Sequence, residues 1–242
     1  MNIYLHVEIS SRELDSKLLL ATIAAAKGHN VLVSDLESIE KGLIRKYLTP
    51  GIFHTKSLTP SESKIKRHNA IKKNGSKITS IDEEGGLIRR NYDKVVKARY
   101  SELTIDQSSA VFGWGNEDTQ ALKKYYNKYF KKIYKTGSPR ADLWKSKFSK
   151  YWGLPKNAPK KPYLLLPSNM NIFEKSFLNA IQESKAKGFF ERDPEAFKEH
   201  FVLKSNNYLK AEAYIEAMKF LSANNNGYDI VFRPHPVESV ES

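Results

Sequence analysis

Short apolar segments alternate with longer amphipathic segments along the first three fifths of the chain. The β-rich apolar runs predict strands at Ile3–Ile9, Asn30–Asp35, Gly51–Ser57, Lys77–Ile81, Ser109–Gly113 and Lys132–Gly137. Between them, helical spacing of apolar residues predicts helices at Arg12–Lys27, Ile39–Leu48, Glu62–Lys73 and Glu117–Phe130. Strands that alternate with helices in this way form parallel βαβ units, so the pattern predicts a doubly wound parallel α/β sheet.

A proline-rich stretch, Gly153–Pro162, follows this alternation and has no hydrophobic period, which is typical of an interdomain linker. After it, Tyr163–Pro167 and Tyr228–Arg233 predict two more strands, with mixed helix and loop over Ile172–Phe201 and a long helix at Asn206–Ala223. The predicted organisation is a first domain over 1–152, a linker over 153–162 and a partial second α/β domain over 163–242. Two strands cannot complete a parallel sheet covered on both faces, so we expect the second domain to be truncated.

The composition narrows the class of protein. Among 242 residues there are 40 Lys and Arg against 27 Asp and Glu, which gives a formal charge of +13. The chain contains no cysteine, and this excludes a disulfide scaffold, thiol catalysis and Cys-ligated metal sites. The first residues do not resemble a signal peptide, and no apolar run approaches the length of a spanning helix. We therefore expect a soluble, cytoplasmic protein.

The basic excess is densest in Lys123–Lys135, where lysines alternate with tyrosine and phenylalanine. Such a segment could bind nucleic acid, could rest on anionic lipid headgroups as a peripheral membrane contact, or could be a solvated face whose aromatic rings point into the core. The sequence has no zinc-finger spacing, no RNP-like aromatic motif and no long basic tail. We expect no sequence-specific nucleic acid partner, and the other two interpretations remain open.

Polar residues follow three of the predicted strands, at the edge of a parallel sheet where ligands bind. These residues are Glu8, Arg12, Glu13 and Asp15 after the first strand, Asp82, Glu83, Glu84 and Gly85 after the fourth, and Ser138 and Arg140 after the sixth. Taken singly, each has an ordinary structural interpretation as a helix cap or a turn. Because the strands are parallel, we expect Glu8, Glu84 and Arg140 side by side at one edge.

Asp82–Glu84 is the strongest candidate for proton chemistry among these residues. Adjacent carboxylates repel one another, which favours acid–base work, and Gly85-Gly86 would let a substrate approach the backbone. No histidine lies nearby in sequence, so general-base or hydroxyl-orienting work is favoured over Mg²⁺ or Mn²⁺ ligation, and no metal site is predicted.

The sharpest short motif is Arg233-Pro234-His235-Pro236, directly after the last predicted strand. Arg233 and His235 can both donate hydrogen bonds to phosphate oxygens, and the prolines fix the loop. A capped strand end with an exposed histidine is the structural alternative. The chain lacks a Gly-x-Ser-x-Gly elbow, a Walker loop and a GxGxxG motif, which argues against the corresponding hydrolases, kinases and dehydrogenases.

Taken in order, these motifs resemble the bacterial surface carbohydrate biosynthesis protein family. The motifs that carry the resemblance are Arg12–Leu20 (RELDSKLLL), Lys27–His29 (KGH), Asp82–Gly85 (DEEG), Gly137–Leu143 (GSPRADL) and Arg233–Glu238 (RPHPVE). That family is similar to GT-B glycosyltransferases, which have two Rossmann-like domains, and more distantly to CDP-glycerol glycerophosphotransferases and capsule transferases of 3-deoxy-manno-octulosonic acid.

The resemblance implies an acceptor side in the first domain and a donor side in the second. It implies that Arg233 and His235 bind the phosphates of a CMP-, CDP- or UDP-linked donor, and that Asn169 lies in a loop facing the interdomain cleft. The donor would be a substrate, no firm cofactor is implied, and the acceptor would be a glycan or a lipid-linked glycan.

Three functions follow from the residues and the resemblance. The first is transfer of a sugar or polyol phosphate in lipopolysaccharide or capsule synthesis. The second is a nucleotide-sugar epimerase of GT-B-like architecture, which needs no acceptor. The third is a non-catalytic, truncated or scaffolding fragment, because a chain of this length would hold only the beginning of a donor site.

Overall fold

The structure is a computed structural model that describes residues 1–85, 92–153, 159–168, 194–224 and 227–234 and the single residues 179, 182 and 185. The chain divides into two compact units, Met1–Gly153 and Leu154–Ser242. Within the described residues, no helix combines the length and the apolar character needed to cross a membrane.

The first unit is built on a six-stranded sheet in the order β2-β1-β3-β4-β5-β6. Its strands are β1 (Asn2–His6), β2 (Asn30–Ser34), β3 (Ile52–Thr55), β4 (Lys77–Ile81), β5 (Ala110–Gly113) and β6 (Ile133–Lys135). Every neighbouring pair is parallel. The prediction of a parallel, Rossmann-like α/β fold is therefore confirmed.

Helices connect these strands. The α-helices are α1 (Ser10–Ala26), α2 (Leu36–Ile44), α3 (Glu62–Lys73), α4 (Tyr92–Arg99), α5 (Glu102–Gln107), α6 (Asn116–Tyr125) and α7 (Pro139–Asp142). In the described part of this unit, two 3₁₀ helices lie at Asn127–Lys132 and Ser146–Tyr151. Side-chain caps fix several starts: Asp35 accepts the Ser38 N–H at the start of α2, and Ser61 accepts the Lys64 N–H at the start of α3.

The predicted helices differ from the structure in several places. Helix α2 begins and ends before the predicted Ile39–Leu48, and the short helix α7 was not predicted. The helix expected to continue to Phe130 ends at Tyr125, because Tyr126 leaves the helical region with φ −118° and ψ 49°. Helices α4 and α5 were not predicted. Each is short, with 8 and 6 residues, so neither presents the repeated apolar spacing on which the prediction depends.

Two apolar clusters fill one face of the sheet. Tyr4, Phe53 and Ile78 of neighbouring strands pack against α2 and α3 in one cluster. Val111 and Ile133 pack against α4, α5 and α6 in the other. The helices on this face thus hold β1 and β3 to β6 in a fixed register, and this register positions the loops at the carboxyl edge.

Helix α1 packs with an unexpected face. The apolar residues whose spacing predicts this helix include Leu18 and Ile23, yet these are 42% and 49% exposed. Glu13 and Lys17 of the same helix are fully buried. A cavity of about 410 Å³ lies on the side of the sheet that α1 covers. It is lined mainly by apolar side chains, among them Leu20 of α1. The interior side of α1 therefore carries charges that need buried partners.

The basic segment Lys123–Lys135 is divided between core and surface. Tyr129 is buried and Tyr125 packs against the neighbouring apolar cluster, while Phe130 is 56% exposed. Lys123 lies 4.2 Å from the centroid of the Phe130 ring, a cation–π contact. The lysines thus cover aromatic rings on a solvated face.

The second unit contains two parallel strands, β7 (Tyr163–Pro167) and β8 (Asp229–Arg233), and the helix α8 (Pro194–Ala223). Tyr214 of α8 donates a hydrogen bond of 2.8 Å to the Pro167 carbonyl oxygen. The long helix predicted from Asn206 begins earlier, at Pro194. Residues 154–158 of the predicted linker, and most of the mixed segment predicted before α8, lie outside the described residues.

Candidate functional site

The strand order creates a crevice at the carboxyl edge of the first sheet. After β1 the chain turns to β2 on one side, and β3 then lies on the other side of β1. The loops after β1 and β3 therefore separate, and ligands of open α/β sheets bind at such a point. Glu8 follows β1 and Lys56 follows β3, and the Lys56 Nζ and Glu8 Oε2 atoms are 2.5 Å apart across this crevice.

A cavity of about 220 Å³ opens at this edge, and we call it the charged cavity. Its lining combines cationic, anionic and hydroxyl side chains: Arg12, Lys56, Ser57, Thr59, Asp82, Glu83, Glu84 and Arg99. Helix α1 supplies Arg12, the loops after β3 and β4 supply the next six, and helix α4 supplies Arg99. The lining offers both hydrogen-bond donors and acceptors to a ligand.

Below the charged cavity lies a buried ion pair between Lys17 and Glu83. The Lys17 Nζ and Glu83 Oε1 atoms are 2.5 Å apart, and the side chains are 0% and 6% exposed. Burying both charges is tolerated because each neutralises the other. This contact fixes α1 to the end of β4.

Glu13 is a second fully buried carboxylate of α1. It accepts hydrogen bonds from the Glu8 N–H at 2.9 Å, from Arg12 Nη2 at 3.1 Å and from Lys56 Nζ at 3.3 Å. Burial alone would raise the pKa of Glu13, but these donors outweigh it and hold that pKa below its ordinary value. Glu13 thus ties the loops after β1 and β3 together as a fixed anion.

Asp82 is also buried, and its partner is Arg99 of α4. The Arg99 Nη2 and Asp82 Oδ1 atoms are 2.6 Å apart, and Arg99 Nε makes a second, very short contact to Oδ2. The hydrogen bond to Asp82 raises the pKa of Arg99. Trp114 Nε1 donates to the Asp82 carbonyl oxygen at 2.6 Å, which adds a tie to β5. We call Glu13, Lys17, Asp82 and Glu83 the floor of the charged cavity.

The rim of the charged cavity consists of Glu8, Arg12 and Glu84. The Glu84 side chain is 45% exposed and lies 3.5 Å from Arg12 Nη1 and 3.3 Å from Arg99 Nη1. The Glu8 side chain is 40% exposed. Of the acidic triplet, Glu84 is therefore the carboxylate that a ligand can reach.

The three carboxylates of the triplet do not face one another. Asp82 is held by Arg99, Glu83 by Lys17, and Glu84 by Arg12 and Arg99. Each carboxylate is paired with at least one cation, and Arg99 is shared by Asp82 and Glu84, so ion pairs offset the mutual repulsion expected from adjacency in sequence.

The remaining candidates of the first unit occupy different positions. Arg140 Nη1 lies 3.5 Å from the Glu83 carbonyl oxygen, at the same edge as Glu8 and Glu84. Ser138 is buried, and its hydroxyl has no partner among the described residues. Asp15 points to another neighbour, accepting a hydrogen bond of 2.6 Å from the Tyr151 hydroxyl.

Gly85 closes the turn after Asp82. A Cβ atom at this position would lie 3.2 Å from the Asp82 Cβ atom, so a side chain would crowd the turn. Its N–H donates to the Asp82 carbonyl oxygen at 3.0 Å. The glycine thus serves the geometry of the acidic turn, while Gly86 lies outside the described residues.

In the second unit, Arg233 is the last residue of β8 and is exposed. Its carbonyl oxygen accepts a hydrogen bond of 2.8 Å from the Ser168 N–H, which aligns the ends of β7 and β8. Asn169 and His235, the other two predicted donor-binding residues, lie outside the described part of the chain.

Several site residues were missed from the sequence. Lys56, Ser57 and Thr59 follow β3, and the strand-end rule that selected Glu8 and Glu84 finds them when it is applied to that strand. Arg99 lies on the unpredicted helix α4. For Lys17 the sequence gives no signal, because its spacing from Glu13 is that of an ordinary surface ion pair.

A cation site is not formed at the floor. Across the described ranges, His, Asp and Glu side chains form no group of three that could hold a metal ion. Lysine and arginine nitrogens occupy the positions beside each carboxylate where a cation would bind.

A comparison with protein-family models finds no match to the chain. A search of curated proteins also finds no significant match.

Proposed function

We propose that this protein is a GT-B-like transferase of surface polysaccharide synthesis, which moves a sugar or a polyol phosphate from a nucleotide-activated donor to a glycan acceptor. The observation that carries the proposal is the charged cavity at the crevice between β1 and β3, with accessible Glu84 at its rim. We assign acceptor binding to this cavity. Its size, about 220 Å³, suits one or two sugar units of the acceptor.

The lining fits a polyhydroxylated ligand. Sugar hydroxyls both donate and accept hydrogen bonds, and the rim presents carboxylate acceptors beside guanidinium and ammonium donors. The floor is fixed by buried ion pairs, so the rim groups are held in place before the ligand arrives. Hydrogen-bonding groups that are already in place lower the free-energy cost of orienting the glycan substrate.

In the proposed reaction Glu84 is the general base. An acceptor hydroxyl gives its proton to the Glu84 carboxylate, and its oxygen forms a bond to the activated carbon or phosphorus of the donor. The bond from that atom to the nucleotide breaks, and the nucleotide leaves with the electron pair. Arg12 and Arg99, which lie against Glu84, hold its carboxylate at the rim of the charged cavity.

The donor side of the proposal rests on the resemblance of the second unit. Arg233 ends β8, and the resemblance adds His235 and Asn169 as partners of the donor phosphates. A CMP-, CDP- or UDP-linked donor is the substrate class that follows. The activity would be cytoplasmic, with peripheral membrane contact where the acceptor is lipid-linked.

The test is nucleotide release from a panel of CMP-, CDP- and UDP-linked donors, with and without glycan acceptors. Release that depends on an acceptor supports transfer, and acceptor-independent release of nucleotide with free sugar assigns the epimerase alternative. Absence of release from every donor would contradict both enzymatic functions.

The key variant is Glu84→Gln, which keeps the shape of the side chain and removes the base. We expect kcat to fall by roughly 10²–10⁴-fold, the range for loss of a general base. Asp106→Asn is the matched control, because Asp106 is an exposed carboxylate on α5, at the opposite edge of the sheet. It should retain the activity of the parent protein.

A further inference from the structure

Ser57 and Lys64 form a close contact at the charged cavity that the proposed transfer reaction does not use. The Lys64 Nζ and Ser57 Oγ atoms are 2.6 Å apart, and Ser57 lines the cavity. We propose that Ser57 and Lys64 are a nucleophile and its general base, and that they give the protein a second activity, cleavage of small acyl esters. A hydroxyl within hydrogen-bond reach of an amine base is the geometry that such chemistry needs.

The backbone holds both groups in position. Ser57 lies in the loop between β3 and α3, and the next residue, Leu58, is 0% exposed and anchors this loop in the core. Lys64 lies in the first turn of α3, where its N–H donates to the capping Ser61 hydroxyl at 3.3 Å. Anchored ends on both sides fix the direction of the two side chains without help from a ligand.

The surroundings of Lys64 suit a base. Burial lowers the pKa of Lys64, and the Arg67 cation adds to this effect, while the Asp82 and Glu8 charges oppose it. Among the described residues no carboxylate forms an ion pair with Lys64. Two residues further along the helix, Lys66 is 73% exposed and pairs with Glu62 at 2.5 Å. Burial therefore makes the Lys64 amine easier to deprotonate than an exposed lysine, which suits a general base.

Besides Lys64, the Ser57 hydroxyl oxygen has a second partner, which is the hydroxyl group of Thr59. Thr59 Oγ1 lies 3.3 Å from it, and both residues line the charged cavity. The cations Arg12, Lys56 and Arg99 line the same space, and they can stabilise negative charge that develops on a carbonyl oxygen. A Ser–Lys pair needs no strand-to-helix nucleophile elbow, so the missing Gly-x-Ser-x-Gly motif does not argue against it.

The reaction has two steps. Ser57 Oγ forms a bond to the ester carbonyl carbon while its proton moves to Lys64 Nζ, and the bond to the alcohol oxygen then breaks. The departing alcohol takes that proton and leaves an acyl-serine. In the second step water attacks the acyl-serine, with Lys64 accepting and returning the proton, and releases a carboxylic acid and free Ser57. The cavity volume of about 220 Å³ accommodates short acyl groups such as acetyl.

The test is covalent labelling with a fluorophosphonate, followed by intact-mass measurement and mapping of the modified residue. We expect one adduct per chain, on Ser57, with p-nitrophenyl acetate hydrolysed by the same protein. Ser57→Ala should abolish the adduct. Lys64→Met should slow labelling by roughly 10²–10⁴-fold, the contribution of a general base.

Two neighbours on α3 serve as matched controls. Ser63→Ala and Lys66→Met change an exposed serine and an exposed lysine of the same helix, and both should label like the parent protein. Should Lys64→Met fail to fold, Lys64→Arg keeps the length and the charge but cannot act as a base, and it should also label slowly.

An adduct on another serine, equal labelling of Lys64→Arg and the parent protein, or no adduct at all between pH 7 and pH 10 would each overturn the proposal. Labelling needs neither a nucleotide nor a glycan. Failure of this inference is therefore read separately from failure of the proposed transfer reaction.

Discussion

The floor and the rim of the charged cavity contain the same kinds of side chain in opposite surroundings. On the floor, Lys17 and Glu83 are almost completely buried, and each depends on the other. On the rim, Glu8 and Glu84 are 40% and 45% exposed, and water shares in their solvation. Breaking a buried pair leaves a charge without compensation, whereas an exposed pair is screened. Among these charged side chains, burial more than residue type therefore separates the groups that maintain the fold from those that can meet a ligand.

The floor is where a substitution should have the largest effect on stability. Lys17→Met removes the ammonium and leaves the Glu83 carboxylate buried without its partner. We expect the free energy of unfolding to fall by about 3–5 kcal/mol, measured by urea denaturation. The control is Lys41→Met, which breaks an exposed helical pair with Glu37 and should change it by no more than about 0.5 kcal/mol.

A double variant tests whether the unpaired Glu83 charge causes this loss of stability. Lys17→Met/Glu83→Leu removes both buried charges, so it should be more stable than Lys17→Met alone. If the double variant were less stable than the single one, the Glu83 carboxylate would have other buried partners and the division between floor and rim would fail.

The buried histidines should make the stability of the protein depend on pH in the acid range. Burial lowers the pKa of His68 to about 4, helped by the Lys64 and Arg67 cations. An unfolded histidine has a pKa of about 6.5, so between these values the unfolded state binds a proton that the folded state does not. Stability therefore falls as the pH falls through this window. From pH 7 to pH 5 the parent protein should lose about 2 kcal/mol more than His68→Leu, measured by denaturation at each pH.

His6 is a second buried histidine whose titration can be measured. Burial lowers its pKa to about 3, and the Lys17 charge contributes in the same direction. Its ring stacks on Phe53 with centroids 5.5 Å apart. A histidine titration followed by NMR should find neither His6 nor His68 charged at pH 6, and a charged His68 at that pH would contradict the acid prediction.

A smaller effect is expected at Asp118, which supports the floor indirectly. Asp118 accepts hydrogen bonds from the backbone N–H groups of Trp114, Gly115 and Thr119 at 2.7–2.9 Å. Trp114 in turn holds Asp82. Asp118→Ala should cost about 1 kcal/mol, the value of a lost helix cap, measured from the thermal midpoint. Asp118→Asn keeps an acceptor and should cost less.

The smallest change in stability is expected at the rim. Glu84→Gln should alter the free energy of unfolding by less than about 1 kcal/mol, because the side chain is half exposed and its ion pairs are screened. The same variant should lose nucleotide release if the proposed transfer reaction is correct. A large loss of stability at Glu84 would place it with the floor.

Much of the fold could be predicted from the sequence. Strand β4 and helix α3 have the predicted bounds, because β-rich and helix-forming segments there are separated by clear capping and turn residues. The orientation of α1 could not be predicted in the same way. Its apolar residues include exposed Leu18, and its interior face carries Glu13 and Lys17. A periodicity argument assigns charges to the surface, and only the buried partners show that these are inside.

The candidate site was predictable in outline. The rule that ligands bind beyond the carboxyl ends of parallel strands selected Glu8, Glu13 and the acidic triplet, and the structure brings all of them together. The division of the triplet into buried Asp82 and Glu83 and accessible Glu84 depends on Arg99 and Lys17. These cations come from distant parts of the chain, and no local pattern connects them to the strand ends.

The parallel register also determines which distant segments must meet when the chain folds. Asn2 pairs with Asn30, and Ile3 pairs with Ile52, so β1 needs two long loops to close before it is held on both sides. Loop closure of this kind makes folding slow. The charged cavity joins Arg12 of α1 with the loops after β3 and β4 and with Arg99, so it forms only after β1, β3 and β4 have paired. A partly folded chain would expose Lys17 and Glu83 to water and have no site. Ligand binding is therefore a reporter of the finished fold.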